Sequence, residues 1–188
     1  MIDGLETLQY PVGRFVWEDQ KHAADRAGWL QIIAQTPHEV RRVVAGLDDR
    51  QLDTPYRPGG WTVRQVVHHY ADDHLNSYIR FKLTLTEEAP TIKPYGEAQW
   101  AELPDARQGP IEPSLALLAA LHERWVAAWT AMREPDWQRV FRHPKRGPVT
   151  LEHLACLYAW HGRHHVAQVR VLRQREGWVE TQGIEVRG

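Results

Sequence analysis

The chain has 188 residues, with 43% hydrophobic and 25% charged side chains, enough for one domain with a real core and an ordinary water-facing surface. Its 23 basic and 24 acidic residues leave a formal net charge of -1, which gives no electrostatic basis for binding nucleic acid or an anionic membrane. The lone cysteine, Cys156, excludes an internal disulfide and a cysteine-rich metal site, and no stretch approaches the ~18 apolar residues of a membrane span. The segment MIDGLETLQYPVGRFVWEDQ carries early acids and no apolar run of signal-peptide length, so a cytoplasmic location is expected. Two residue types are over-represented, with 11 histidines and 9 tryptophans. Tryptophan excess points to an aromatic core or pocket lining, and the meaning of the histidines depends on where they fall.

Residues 1–18, with Pro11 and Gly13, show no period and read as an extended arm. Glu18 to Gln35 reads as a helix, with Trp29, Leu30, Ile32 and Ile33 on its apolar faces. Pro37 suits the first turn of a separate short helix that stops at Gly46. Leu47 to Gly60 is a turn-rich connector. Thr62 and Gln65 form a capping-box pair that opens the longest helical pattern, through Val66, Tyr70, His74, Tyr78, Phe81 and Leu85 to about Glu88. Residues 89–112 hold Pro90, Pro94, Pro104 and Pro110 and read as a long loop of the kind that serves as a lid or interface arm. Ser114 is the expected cap of the next helix, which runs through Leu118, Leu121 and Trp125 to about Arg133. Val140 and Phe141 read as a short strand in the following connector. Thr150 caps a last helix, Leu151 to about Glu176, that Gly177 ends, and residues 179–188 form a loose tail. The expected architecture is all-α, a single domain over 1–188 built as a four-helix bundle with crossover connections and an extra short helix.

The last helix carries the most informative pattern. At 100° per residue, His161 and His165 fall within about 20° of the line through Leu154 and Leu172, in the middle of the apolar stripe. Histidines at i and i+4 lie one above the other and can share one ion at the ~2.0–2.1 Å metal–nitrogen distance. Burying two imidazoles with no partner would cost several kcal/mol, and a metal removes part of that penalty. His164 sits off the stripe, Arg163 opposite it, and Cys156 on the far face. A third ligand should then come from another helix, where His68, His69, His74 and His122 are candidates, with His153 on the last helix itself as a further one, and periodicity does not choose between them.

The stretches GGWTVRQVVHHYADDHLNSYIRFKLTLTEEAP and LYAWHGRHHVAQV, with YPVG, QLDTPYR, IKPY, LHERW and the final GW, resemble the DinB superfamily, and within it the metal-dependent hydrolases of the YfiT type. The resemblance implies a bundle of four main helices, a three-histidine divalent metal site and a homodimer. It carries the first ligand over to the histidine eight residues after Trp61, which is His69, and the other two to His161 and His165. At Gln168 the chain departs from the family, which often has a further histidine there. Zinc or nickel suits such a ligand set. Three imidazoles leave a coordination position open for an activated water, so hydrolysis of a small-molecule substrate is the expected activity. Asp73, one turn after His69, would orient that ligand or act as a base. Gln65 and Gln168 would sit at the surface or hydrogen-bond ligands, and Trp61, Tyr70 and Trp160 would line the pocket or pack the core. A metal-dependent transferase acting on a low-molecular-weight thiol and a non-catalytic metal-binding stress protein are the alternatives.

Overall fold

A computed structural model describes residues 4–17 and 25–179. Its long helices are α2 (Arg26–Val44), α4 (Val63–Thr86), α7 (Glu112–Thr130) and α8 (Leu151–Glu176). Four short helices accompany them, α1 (Gly4–Gln9), α3 (Asp49–Leu52), α5 (Glu97–Ala101) and α6 (Pro104–Gln108), together with a two-stranded antiparallel hairpin of β1 (Val140–His143) and β2 (Gly147–Thr150). No helix of the described residues is long and apolar enough to cross a membrane.

The ends of the two site-bearing helices follow the sequence signals. On α4, the Thr62 hydroxyl accepts from the Gln65 backbone N–H, and the Gln65 side chain accepts from the Thr62 N–H. On α8, Thr150 Oγ1 accepts from His153 N over 3.0 Å, and Gly177 closes the helix with φ of 68°, the left-handed value a glycine adopts without strain.

Elsewhere the structure corrects the reading. α2 is one continuous helix that passes through Pro37, where two helices were expected. A proline removes the N–H that would bond the carbonyl four residues back. Here that carbonyl, Ile33 O, is taken instead by His122 Nδ1 at 2.7 Å, and the neighbouring Thr36 hydroxyl donates to Ile32 O. The predicted start of this helix at Glu18 falls on residues 18–24, which lie outside the described residues, as do 180–188 of the tail. The supposed arm contains α1, and the supposed loop contains α5 and α6, the latter with Pro104 in its first turn, where a proline is well suited. α7 begins at Glu112, ahead of Ser114, whose hydroxyl serves His68 and not the helix end.

α2 packs along both α8 and α7, and α7 along α4. Helices consecutive in the chain, α2 with α4 and α7 with α8, are therefore diagonal, which requires two crossover connections. α4 and α8 meet far less closely than the other neighbours. The apolar core is split in two. One cluster contains Val40, Val66, Leu118 and Val169. The other contains Ile33, Phe81, Trp125 and Leu154. Between them each long helix contributes polar groups at the same level: Thr36, His69 with Asp73 and His74, His122, and His161 with His165.

Candidate metal centre

Because α4 and α8 stand apart, imidazoles from both fill the space between them. One ring nitrogen from each of His69, His161 and His165 lies within 4.8 Å of the others. His69 Nε2 and His161 Nε2 are 3.3 Å apart. A tetrahedral ion with bonds of ~2.0–2.1 Å separates its ligand nitrogens by about 3.3–3.4 Å, so this spacing suits a shared cation. The structure thus brings together the three predicted ligands, including the one that periodicity could not select.

Hydrogen bonds fix which nitrogen two of these rings present. His165 Nδ1 donates to Gln168 Oε1 at 2.7 Å, which leaves the Nε2 lone pair toward the cluster. Gln168 is itself held, because its amide donates to Gln9 O and to His164 Nε2. For His161 the chain is longer. Ile33 O can only accept, so His122 Nδ1 carries the proton. Burial holds the His122 pKa at about 4, so the ring is neutral and its Nε2 accepts. His74 Nδ1 then donates to His122 Nε2 over 2.6 Å. His161 Nδ1 donates in turn to His74 Nε2 over 3.0 Å, and His161 Nε2 is left with its lone pair facing His69. His69, His74, His161 and His165 are all pushed below the ordinary histidine range, chiefly by burial. Neutral imidazoles are the form a metal takes.

Asp73 stands beside this cluster. Its Oδ2 is 3.6 Å from His161 Nε2 and accepts from the Tyr158 hydroxyl at 2.8 Å, while Oδ1 accepts from the Tyr95 hydroxyl at 3.1 Å. Asp73, His74 and His161 also form a possible ligand group, but His74 Nε2 and His161 Nδ1 are spent on each other. The other candidates point elsewhere. His68 bonds Ser114 and Gly109, His153 stacks on Trp17, and His164 stacks on Trp160. Gln65 serves its cap and Ala101 O and touches no ligand, which corrects the expectation for it. Trp61 lies against the His69 ring, 4.7 Å between centroids, and lines the opening, whereas Tyr70 is core, its hydroxyl donating to Gly162 O. Trp160 lines the cavity and donates to Gly13 O.

Sequence reasoning passed over Tyr158, Tyr95, Arg80 and the part His122 plays. Two of these carried a signal: Tyr158 shares the stripe of His161, and His122 occupies a core position between Leu118 and Trp125. A cavity of about 220 Å³ runs from His69, Asp73 and His161 to Arg80, His143 and Arg146.

The DinB superfamily model matches residues 32–169 of the chain. A Bacillus cereus G9842 protein named "Putative metal-dependent hydrolase" is 49% identical over 174 residues, spanning 93% of this chain and all of the relative. A Bacillus mycoides KBAB4 protein of the same description matches equally. Among solved structures, YfiT from Bacillus subtilis, described as "a probable metal-dependent hydrolase with an unusual four-helix bundle topology", superposes with a TM-score of 0.89 at 45% identity, covering 92% of this chain and 99% of that one. Sequence, topology and the converging histidines therefore agree that the chain belongs to the DinB superfamily.

Proposed function

We propose that the chain is a metal-dependent hydrolase that holds one divalent ion, zinc or nickel, through His69, His161 and His165. The observation that carries this reading is the convergence of three neutral imidazoles, His69 and His165 buried and His161 half-buried, two of them with the tautomer fixed so that Nε2 faces the common point. The names of the relatives support the reaction class. Bound by these three imidazoles, such an ion would supply Lewis-acid chemistry that activates water at neutral pH. Asp73 lies where it can accept a proton from that water and orient it, with its own oxygens steadied by Tyr158 and Tyr95. The cavity beside it admits a small-molecule substrate.

The test is metal content and turnover of protein made without a histidine tag. Wild type should carry about one equivalent of metal, His165→Ala should carry almost none, and ester or amide hydrolysis should follow the metal. Equal metal in both proteins overturns the site. Turnover that appears only with an added thiol overturns the reaction class and leaves the site standing.

A further inference from the structure

Arg80 on α4 lines the same cavity as His69, Asp73 and His161, with its Nε buried and without a hydrogen-bond partner. Arg146, from the turn between β1 and β2, lines the same cavity. Among the described residues neither arginine is in an ion pair. Both stand near His143, whose pKa is lowered first by burial and then by the charges of Arg146, Arg80 and Lys145. The acids of this cavity are Asp73, already held by two tyrosines, and Glu97. A buried guanidinium edge with no partner is an unfilled donor, and its planar fork matches an oxyanion better than any neutral group. Phe141 and Val149 supply apolar lining to the same cavity.

We propose that Arg80, with Arg146, binds a carboxylate or phosphate group of the substrate and so places the bond to be hydrolysed at the histidine end of the cavity. This rests on the hydrolase reading for the second half of the statement and on the arginines alone for the first. The experiment titrates inorganic phosphate, and separately acetate, into wild type, Arg80→Gln, Arg80→Lys and His165→Ala, following the intrinsic tryptophan fluorescence and the 31P line width. Saturable binding should weaken about tenfold in Arg80→Gln, less in Arg80→Lys, and persist in His165→Ala. Binding unchanged in Arg80→Gln overturns the proposal. Binding lost in His165→Ala but kept in Arg80→Gln means that the anion sits on the metal, which also overturns it. A wild type that binds phosphate through Arg80 and carries no metal sinks the hydrolase reading and leaves the anion subsite. Comparison of the two titrants separates a phosphate from a carboxylate preference.

A different observation carries a second inference. The hydrogen-bonded series Ile33 O, His122, His74, His161 spans the four long helices and ends on a predicted metal ligand. It begins at the one carbonyl of α2 that Pro37 deprives of its helical donor. We infer that His74 and His122 are positioning residues whose role is to hold His161 with its proton on Nδ1 and its lone pair on Nε2. A ring free to exchange tautomers would present a protonated nitrogen to the ion for part of the time. Two readouts test this. In wild type, long-range 1H–15N correlation should place the proton on Nδ1 in His74, His122 and His161, and an Nε2 proton in any of them overturns the inference. Zinc affinity, measured by competition with a chelating dye, should fall about 10- to 100-fold in His122→Phe. His122→Gln should restore it, because an amide can both donate to Ile33 O and accept from His74. Wild-type zinc affinity in His122→Phe, or failure of glutamine to outperform phenylalanine, overturns it.

Discussion

The Tyr158 hydroxyl reaches from α8 to α4 and donates to Asp73 Oδ2 at 2.8 Å, so the same carboxylate oxygen that lies 3.6 Å from His161 Nε2 is held by a second helix. Tyr158 is a poor proton source, since burial and then the neighbouring Asp73 push its pKa well above the tyrosine range. It therefore fixes the carboxylate without protonating it. Asp73→Asn is expected to keep bound metal and to lower hydrolytic turnover about 100-fold or more, with Tyr158→Phe lowering it about tenfold. Metal analysis alongside ester turnover checks this. Loss of metal from Asp73→Asn would make Asp73 a ligand and refute its role as base.

Gln168 bonds His165 Nδ1, His164 Nε2 and Gln9 O at once. Gln168→Leu keeps the volume and removes all three bonds. Zinc affinity should fall about 10- to 100-fold while the fold, followed by circular dichroism, is retained. Unchanged affinity would show that the His165 tautomer needs no such partner.

The histidine layer makes the metal-free protein acid-sensitive. His74, His122, His161 and His165 are held below the ordinary range in the fold, and in the unfolded chain they titrate near ~6.5. Below that pH the unfolded state binds more protons, so stability falls as pH drops through ~6.5, and above it these groups contribute a constant amount. Each adds at most ~1.4 kcal/mol per pH unit. Denaturant midpoints measured in chelator from pH 8 to 5 should be flat and then decline. A midpoint that stays level to pH 5 contradicts the neutral, buried layer.

Gly162 on α8 faces Thr36 on α2, and a Cβ added there would run into the Thr36 hydroxyl, which is tied to Ile32 O. Gly162→Ala should destabilise the protein by about 1–3 kcal/mol in chemical denaturation, despite alanine's better helix propensity. Thr36→Ala in the same chain should recover most of the loss. If Gly162→Ala stabilises instead, the helices are not as closely packed as described.

The long helices were legible because their signals are local. Capping at Thr62 and Thr150, the glycine stop at Gly177 and the stripe that places His161 beside His165 are read within a few residues of chain. What failed depended on partners far away in sequence. Pro37 looked like a helix start because the donor that replaces its missing N–H sits on His122, 89 residues from the Ile33 carbonyl. Ser114 looked like a cap because its use by His68 cannot be seen from α7 alone. His69 could not be told from His68 or His74 by period, since all three are buried and only the direction of α8 decides which ring meets the pair. Tyr95 came from a stretch that looked like featureless loop, and it steadies Asp73 only because the chain folds back over α4.

The diagonal order of the helices has a consequence for how the protein acquires its metal. His69 and His161 are 92 positions apart, and α8, which carries two of the three proposed ligands, follows the other three long helices in the chain. A growing chain that exposes α4 offers only one of the three proposed ligands, His69, and therefore not the full site. Capture of the ion by all three histidines must wait until α8 has been made and the bundle has closed, so loading reports closure of the bundle and cannot guide the earlier steps.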